Sequence, residues 1–128
     1  MSLTENDMEE LRETMLLELN ERINQLEHCL KMFNGKSPIN ETINDLIRVL
    51  HSLKGLFGMV GFSQISQMFL NMKESLTNSD DSEIGNLHPL MHDLYAELIK
   101  IYKTLSQKEE LNIHGISKIT EQVTFLLS

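Results

Sequence analysis

Apolar residues recur along this chain at spacings of three and four, the period of a helix with one buried face. In the first segment they are Met8, Leu11, Met15, Leu19, Ile23, Leu26, Cys29, Leu30 and Phe33, a single stripe on a long helix. The run NGKSP at 34–38 breaks it, with Gly35 and Pro38 as punctuation. A second helix is predicted from near Ile39 to about Val60, striped by Ile43, Leu46, Leu50, Leu53, Phe57 and Val60. GFS at 61–63 interrupts it. A third helix then shows Phe62, Ile65, Phe69, Met72 and Leu76 on one face, with Ser63 as its expected N-cap. Residues 77–86, TNSDDSEIGN, read as a polar loop. Pro89 suits the first turn of a fourth helix striped by Leu90, Leu94, Leu98, Ile101 and Leu105. SQKEE and Gly115 bound a shorter fifth segment carrying Ile116, Ile119, Val123 and Leu126. Strand alternation of useful length, internal repeats and low-complexity tracts are all missing from the pattern. The expected fold is all-α: an antiparallel four-helix bundle with an additional C-terminal helix, forming one domain over residues 1–128.

The second helix contains a stretch that local propensity does not explain. HSLKGLFGMVGF, residues 51–62, holds three glycines at intervals of three. Each glycine inside a helix costs about 1 kcal/mol relative to alanine, and a domain of this size has roughly 5–15 kcal/mol of net stability. On a wheel at about 100° per residue, Leu46, Val49, Leu50, Leu53, Leu56, Phe57 and Val60 fall opposite His51. Within about 60° of His51 lie Asn40, Asn44, Ile47, Arg48, Lys54, Gly55 and Gly58, and Phe62 if the helix continues that far. His51 is therefore expected to face water, with Lys54 one turn further along the same face. Side chains at 55 and 58 would stand beside the imidazole, so access to that ring is the compensating gain. Gly61 falls at the helix end and is expected to act as a C-cap or turn.

Composition narrows the partners. The 128 residues include 19 acids and 11 bases, a formal net charge of −8. Such a surface repels nucleic acid and anionic membrane. The opening MSLTENDMEE is acidic and polar, unlike a signal peptide, and no apolar run approaches the roughly 18 residues of a membrane span. The single Cys29 rules out an intrachain disulfide and fits a reducing compartment. A cytoplasmic monomer is the expectation.

An exposed histidine that partners can approach points to a covalent carrier. Imidazole is nucleophilic near neutral pH because much of it is unprotonated. A phosphoryl group on the ring would bring roughly two negative charges. Lys54 is placed to hydrogen-bond that group, with Arg48 helping at longer range. Ile47 and Phe62, with Asn44 and Gly58 on the same face, form a candidate docking patch for a partner.

HSLKG, holding His51, Lys54 and Gly55, followed by GMVGF, resembles the histidine phosphotransfer (HPt) domain. The likeness is greatest to HPt domains at the N-terminus of chemotaxis histidine kinases. The motif spans residues 43–76, and the bundle pattern extends the agreement over the chain. The resemblance implies a helical bundle with an active histidine exposed on the second helix. It also implies reversible phosphoryl exchange with aspartates of response-regulator receiver domains, where Mg²⁺ is expected on the partner and no cofactor in this chain. His51 maps onto the phosphoacceptor, Lys54 onto the lysine that stabilises the phosphoryl group, and Gly55 onto the small position beside the histidine. Chemotaxis-kinase members usually carry a second histidine and a glutamate on the third helix, where this chain has Leu70 and Lys73. The glutamate polarises the imidazole for attack on ATP. A charged lysine cannot accept a hydrogen bond and would disfavour a nearby imidazolium. Glu74 is next in line but about 100° round the helix. This departure favours a relay carrier loaded from a phosphoaspartate. The alternatives are an N-terminal phosphotransfer domain excised from a larger kinase, and a helical adaptor that binds through the His51 face without covalent chemistry.

Other candidates are weaker. His88 and His92, four apart, could place two metal ligands on a helix, but no third ligand is in view and surface histidines are the expectation. Cys29 is expected to fill the core, as are the methionines, which sit at stripe spacing. Gly55, Gly58 and Gly61 do not follow a G-x-G-x-x-G pattern, and there is no G-x-x-x-x-G-K-[ST]. The chain is not expected to bind ATP, hold a metal or phosphorylate itself.

Overall fold

The apolar stripes become the inner faces of six helices in a computed structural model that describes residues 4–33 and 40–127. These are α1 (Glu5–Phe33), α2 (Asn40–Met59), α3 (Ser63–Thr77), α4 (Asp81–Gly85), α5 (His88–Ser106) and α6 (His114–Leu126). Among the described residues there is no strand. The predicted break at 34–38 and the predicted helix start at Ile39 lie outside the described residues. In the first stripe, Met15, Leu19, Ile23, Leu26, Cys29, Leu30 and Phe33 are buried, whereas Met8 is exposed and Leu11 only half-buried. Length explains this. At 1.5 Å per residue, the 29 residues of α1 run about 44 Å and the 20 of α2 about 30 Å, so the first turns of α1 overhang its neighbour.

The five long helices close a ring in the order α1, α2, α3, α6, α5 and back to α1. Side-chain contacts give the directions. Glu18 lines one groove with Met59 and Cys29 another with Asp45, so α1 and α2 are antiparallel. His51 meets Lys73 and Gly58 meets Ser66, so α2 and α3 are antiparallel. Tyr95 donates to Glu27 and Lys108, just after α5, pairs with Glu9, so α1 and α5 are antiparallel. Gly115 faces Glu97 and Phe125 lies near Leu90, so α5 and α6 are too. A ring of five cannot alternate throughout, and the parallel seam is the one between α3 and α6. The additional C-terminal helix thus packs against both α3 and α5. Its Ile116, Ile119 and Val123 join the core, while Leu126, at the end of the predicted stripe, is exposed.

The α2–α3 connection is short because Gly61 makes it so. Gly61 has φ +90°, the left-handed region that a side chain disfavours. Its N–H donates to the Gly58 carbonyl at 3.2 Å, and the Phe62 N–H donates to the Phe57 carbonyl at 2.9 Å. That pair of bonds is a Schellman cap. The apolar contact that accompanies it is Phe62 edge-on to Phe57, ring centroids 6.1 Å apart. The Gly61 expectation holds. The Ser63 one does not: Ser63 is the first helical residue, Phe62 holds the cap position, and no side chain caps this end.

Other details also differ. The polar stretch 77–86 folds into one short helix, α4, whose Ile84 is buried, as is Leu87 just after it. The apolar pair is too sparse for a stripe yet enough to anchor the segment. α5 begins at His88 with Pro89 in its first turn; Met91 takes the buried position and Leu90 is half-buried. Methionines divide: Met15, Met72 and Met91 are buried, but Met8, Met32 and Met59 are exposed, so stripe spacing alone overstates their burial.

Candidate functional site

His51 sits in the middle of α2 on its solvent face, because Leu50, Leu53 and Phe57 take the opposite face into the core. The nearest side-chain partner comes from the neighbouring helix. Lys73 Nζ of α3 lies 3.4 Å from His51 Nδ1. The antiparallel α2–α3 hairpin, set by the Gly61 turn, brings these two together across 22 residues of sequence. Leu70, the other departure from the kinase pattern, is half-buried, and Glu74 is exposed.

The two glycines on this face have different surroundings. A Cβ built on Gly55 would meet nothing within 4 Å. A Cβ on Gly58 would lie 3.1 Å from Ser66 Oγ. That hydroxyl donates to the Lys54 carbonyl at 2.8 Å. Gly58 therefore lets α3 approach α2 closely, a packing reason that the wheel did not reveal. Lys54 itself is half-buried, and its ammonium forms no ion pair among the described residues.

A groove of about 410 Å³ beside His51 is lined by Glu18 and Arg22 of α1 and by Ser52, Gly55, Leu56 and Met59 of α2. It continues past Arg22 and Ser52 toward Cys29, Asp45 and Arg48. Arg48 is exposed and paired with Asp45 at 2.9 Å. Asn44 is exposed, Ile47 half-buried against the core, and Phe62 half-buried at the α2–α3 turn. Sequence reasoning had placed Asn44, Ile47, Arg48, Gly58 and Phe62 on the His51 face. It missed Glu18, Arg22, Ser52 and Met59. The α1 residues flank the buried Leu19 and Ile23, and only the pairing of α1 with α2 tells which flank meets the histidine.

The remaining candidates are accounted for structurally. Cys29 is buried, and burial, with the Asp45 carboxylate nearby, pushes its thiol up to about 11. His88 is half-buried rather than solvated. It stacks on Phe33 at 5.6 Å, its Nε2 lies 3.4 Å from the Leu30 carbonyl, and His92 packs edge-on against it at 4.5 Å. The pair thus joins the start of α5 to the end of α1. Among the described residues no three potential metal ligands gather at one place, and no helix is long and apolar enough to cross a membrane.

Among known families, the model described as the Hpt domain matches residues 10–107. The matched span runs from α1 to the end of α5 and includes every residue of the His51 site; α6 lies beyond it. No solved structure matches the chain.

Proposed function

The chain belongs to the Hpt domain family, and from that membership we propose that it carries a phosphoryl group on His51. The group is exchanged with an aspartate of a response-regulator receiver domain. The observation that carries this reading is an exposed imidazole flanked by open space at Gly55, with Lys54 one turn along α2 and Lys73 reaching in from α3. In transfer the imidazole nitrogen attacks phosphorus, and the acyl-phosphate oxygen leaves with its electron pair as the receiver's carboxylate. The transferred phosphoryl group brings roughly two negative charges beside these cations. Lys54 is assigned to the phosphoryl oxygens and Gly55 to access. The receiver supplies the aspartate and a Mg²⁺ site, so this chain acts as a phosphocarrier with little machinery of its own.

The groove along α1 and α2, lined by Arg22, Ser52 and Met59 and reaching Arg48, is the proposed docking surface, together with Asn44, Ile47, Gly58 and Phe62 of the His51 face, which do not line it. Lys73 at Nδ1 favours loading from a phosphoaspartate over loading by a kinase, which would gain from an acceptor at that nitrogen. The test is incubation with a phosphorylated receiver domain, followed by peptide mass spectrometry. A single phosphoryl group on His51 is expected, lost in His51→Gln with helicity unchanged. Wild-type uptake by the glutamine variant would refute the assignment, and binding without any label would favour a non-covalent adaptor.

A further inference from the structure

We infer that Ser66 of α3 is a positioning residue for Lys54: its hydroxyl clamps the Lys54 carbonyl and keeps α2 helical through the turn that carries the ammonium assigned to the phosphoryl group. The inference rests on the carrier reading above, and it adds a residue of another helix to that task.

The turn that follows Lys54 is the weakest in α2. Gly55 and Gly58 both lie in it, and each lowers the helix propensity. The helix then stops at Met59, with Gly61 in the left-handed region. Helix ends open locally far more readily than helix middles. In the helical pattern the Lys54 carbonyl accepts from the N–H four residues on, that of Gly58. Opening from the C-terminal end that releases Gly58 therefore releases Lys54 as well. His51, a turn earlier, stays in place, and the two no longer share a face. Leu53, Leu56 and Phe57 hold this turn on the core side, while the two glycines offer no side chain on the other.

Ser66 supplies the missing hold. Its Oγ donates to the Lys54 carbonyl at 2.8 Å. The hydroxyl lies where a side chain at 58 would crowd it, since a Cβ built there comes within 3.1 Å of Oγ. Glycine at 58 thus opens the way for a donor from α3 to reach the α2 backbone. The register agrees. His51 faces Lys73 and Gly58 faces Ser66, so both contacts lie on one seam, with Lys54 between them. They are two turns, about 10 Å, apart.

This use of a hydroxyl sets Ser66 apart. A serine or threonine inside a helix can bond the carbonyl four residues back. Thr77, Ser79, Thr104, Ser106, Thr120 and Thr124 all do so. Ser66 instead crosses to the neighbouring helix.

The experiment uses the whole chain and a phosphorylated receiver domain, with the transfer rate measured over a range of receiver concentrations. Ser66→Ala should slow transfer at saturating receiver about three-fold, of the order that holding one long side chain in place is worth. The receiver concentration for half-maximal rate should stay that of the parent, because docking is untouched. Amide hydrogen exchange at Gly58 should quicken. The deciding comparison is in a Lys54→Ala background, where Ser66→Ala should slow transfer no further, the mark of two residues acting through one group. Equal slowing in both backgrounds, a change confined to the half-maximal concentration, unchanged exchange at Gly58, or a Ser66→Ala rate equal to the parent's would each overturn the inference while leaving the carrier reading intact. So would undiminished transfer by Lys54→Ala. No label on His51 in the parent would overturn both.

Discussion

At the scale of single residues, Lys54 and Lys73 divide the work around His51. Lys73 reaches the ring nitrogen; Lys54, one turn along α2, is free for the phosphoryl oxygens. Lys54→Ala should therefore slow phosphoryl transfer by about 1.5–3 kcal/mol of barrier, the range for a hydrogen bond to a charged group. Lys54→Arg should keep most of the rate, and thermal stability of the unloaded protein should move little in either variant. A transfer time course with a phosphorylated receiver checks this; equal rates for alanine and parent would make Lys54 an ordinary surface lysine. Cys29 illustrates the opposite case. Its thiol is buried and shifted to about 11, so it is a core side chain and not a second nucleophile.

At the scale of elements, the α2 glycines separate by partner. Gly55→Leu fills open space, so it should stabilise the helix slightly and slow transfer. Gly58→Leu should instead lower the melting temperature. Its branched side chain would displace Ser66 and break the bond to the Lys54 carbonyl, about 1 kcal/mol, besides pushing α3 from α2. Gly58→Ala should be nearly neutral, since about 1 kcal/mol of helix propensity offsets that lost bond. Comparing melting temperatures with transfer rates for the three variants distinguishes access from packing. The helices and their inner faces were legible because the apolar stripes that hold Leu19, Leu50, Phe69 and Leu98 each repeat at the period of a helix. Exposure of His51 followed from the same count. What was not legible was pairwise: that Ser66 lies under Gly58, that Lys73 turns onto Nδ1, and that Arg22 shares the groove. Those facts depend on which faces meet and at what height, which periodicity within one helix does not encode. Ile84 and Leu87 were missed for another reason, since two apolar residues in a polar stretch make no period at all.

At the scale of the whole molecule, the seam between α1 and α5 has a pH dependence that can be read from one hydrogen bond. Tyr95 donates to Glu27 at 2.7 Å; that bond, with Lys31, holds the Glu27 carboxyl below its usual range, and Glu27 in turn raises Tyr95. A depressed carboxyl contributes stability above its unfolded value of 4.5 and loses it as pH falls through the folded one. A raised phenol contributes fully below 10.0 and loses it as pH rises further. Tyr95→Phe should be less stable than the parent by a small, constant margin in between, a margin that shrinks at both extremes. Denaturant melts at several pH values measure it, and a margin still constant at the extremes would detach the bond from stability.

The ring order has a consequence for how the protein reaches its fold. The hydrogen bonds that join α2 and α3 beside His51 link residues no more than 22 apart, whereas the α1–α5 seam joins Tyr95 to a residue 68 positions away. Closing a short loop costs less chain entropy than closing a long one, so the α2–α3 hairpin is the natural nucleus and the seam the late event. Phe69→Leu, which trims the ring stacked on Phe57 at 5.7 Å, should mainly slow refolding. Leu98→Ala, in the core on α5, should mainly speed unfolding. Chevron plots of the two variants separate these limbs, and the reverse assignment would mean that the ring closes before its site is formed.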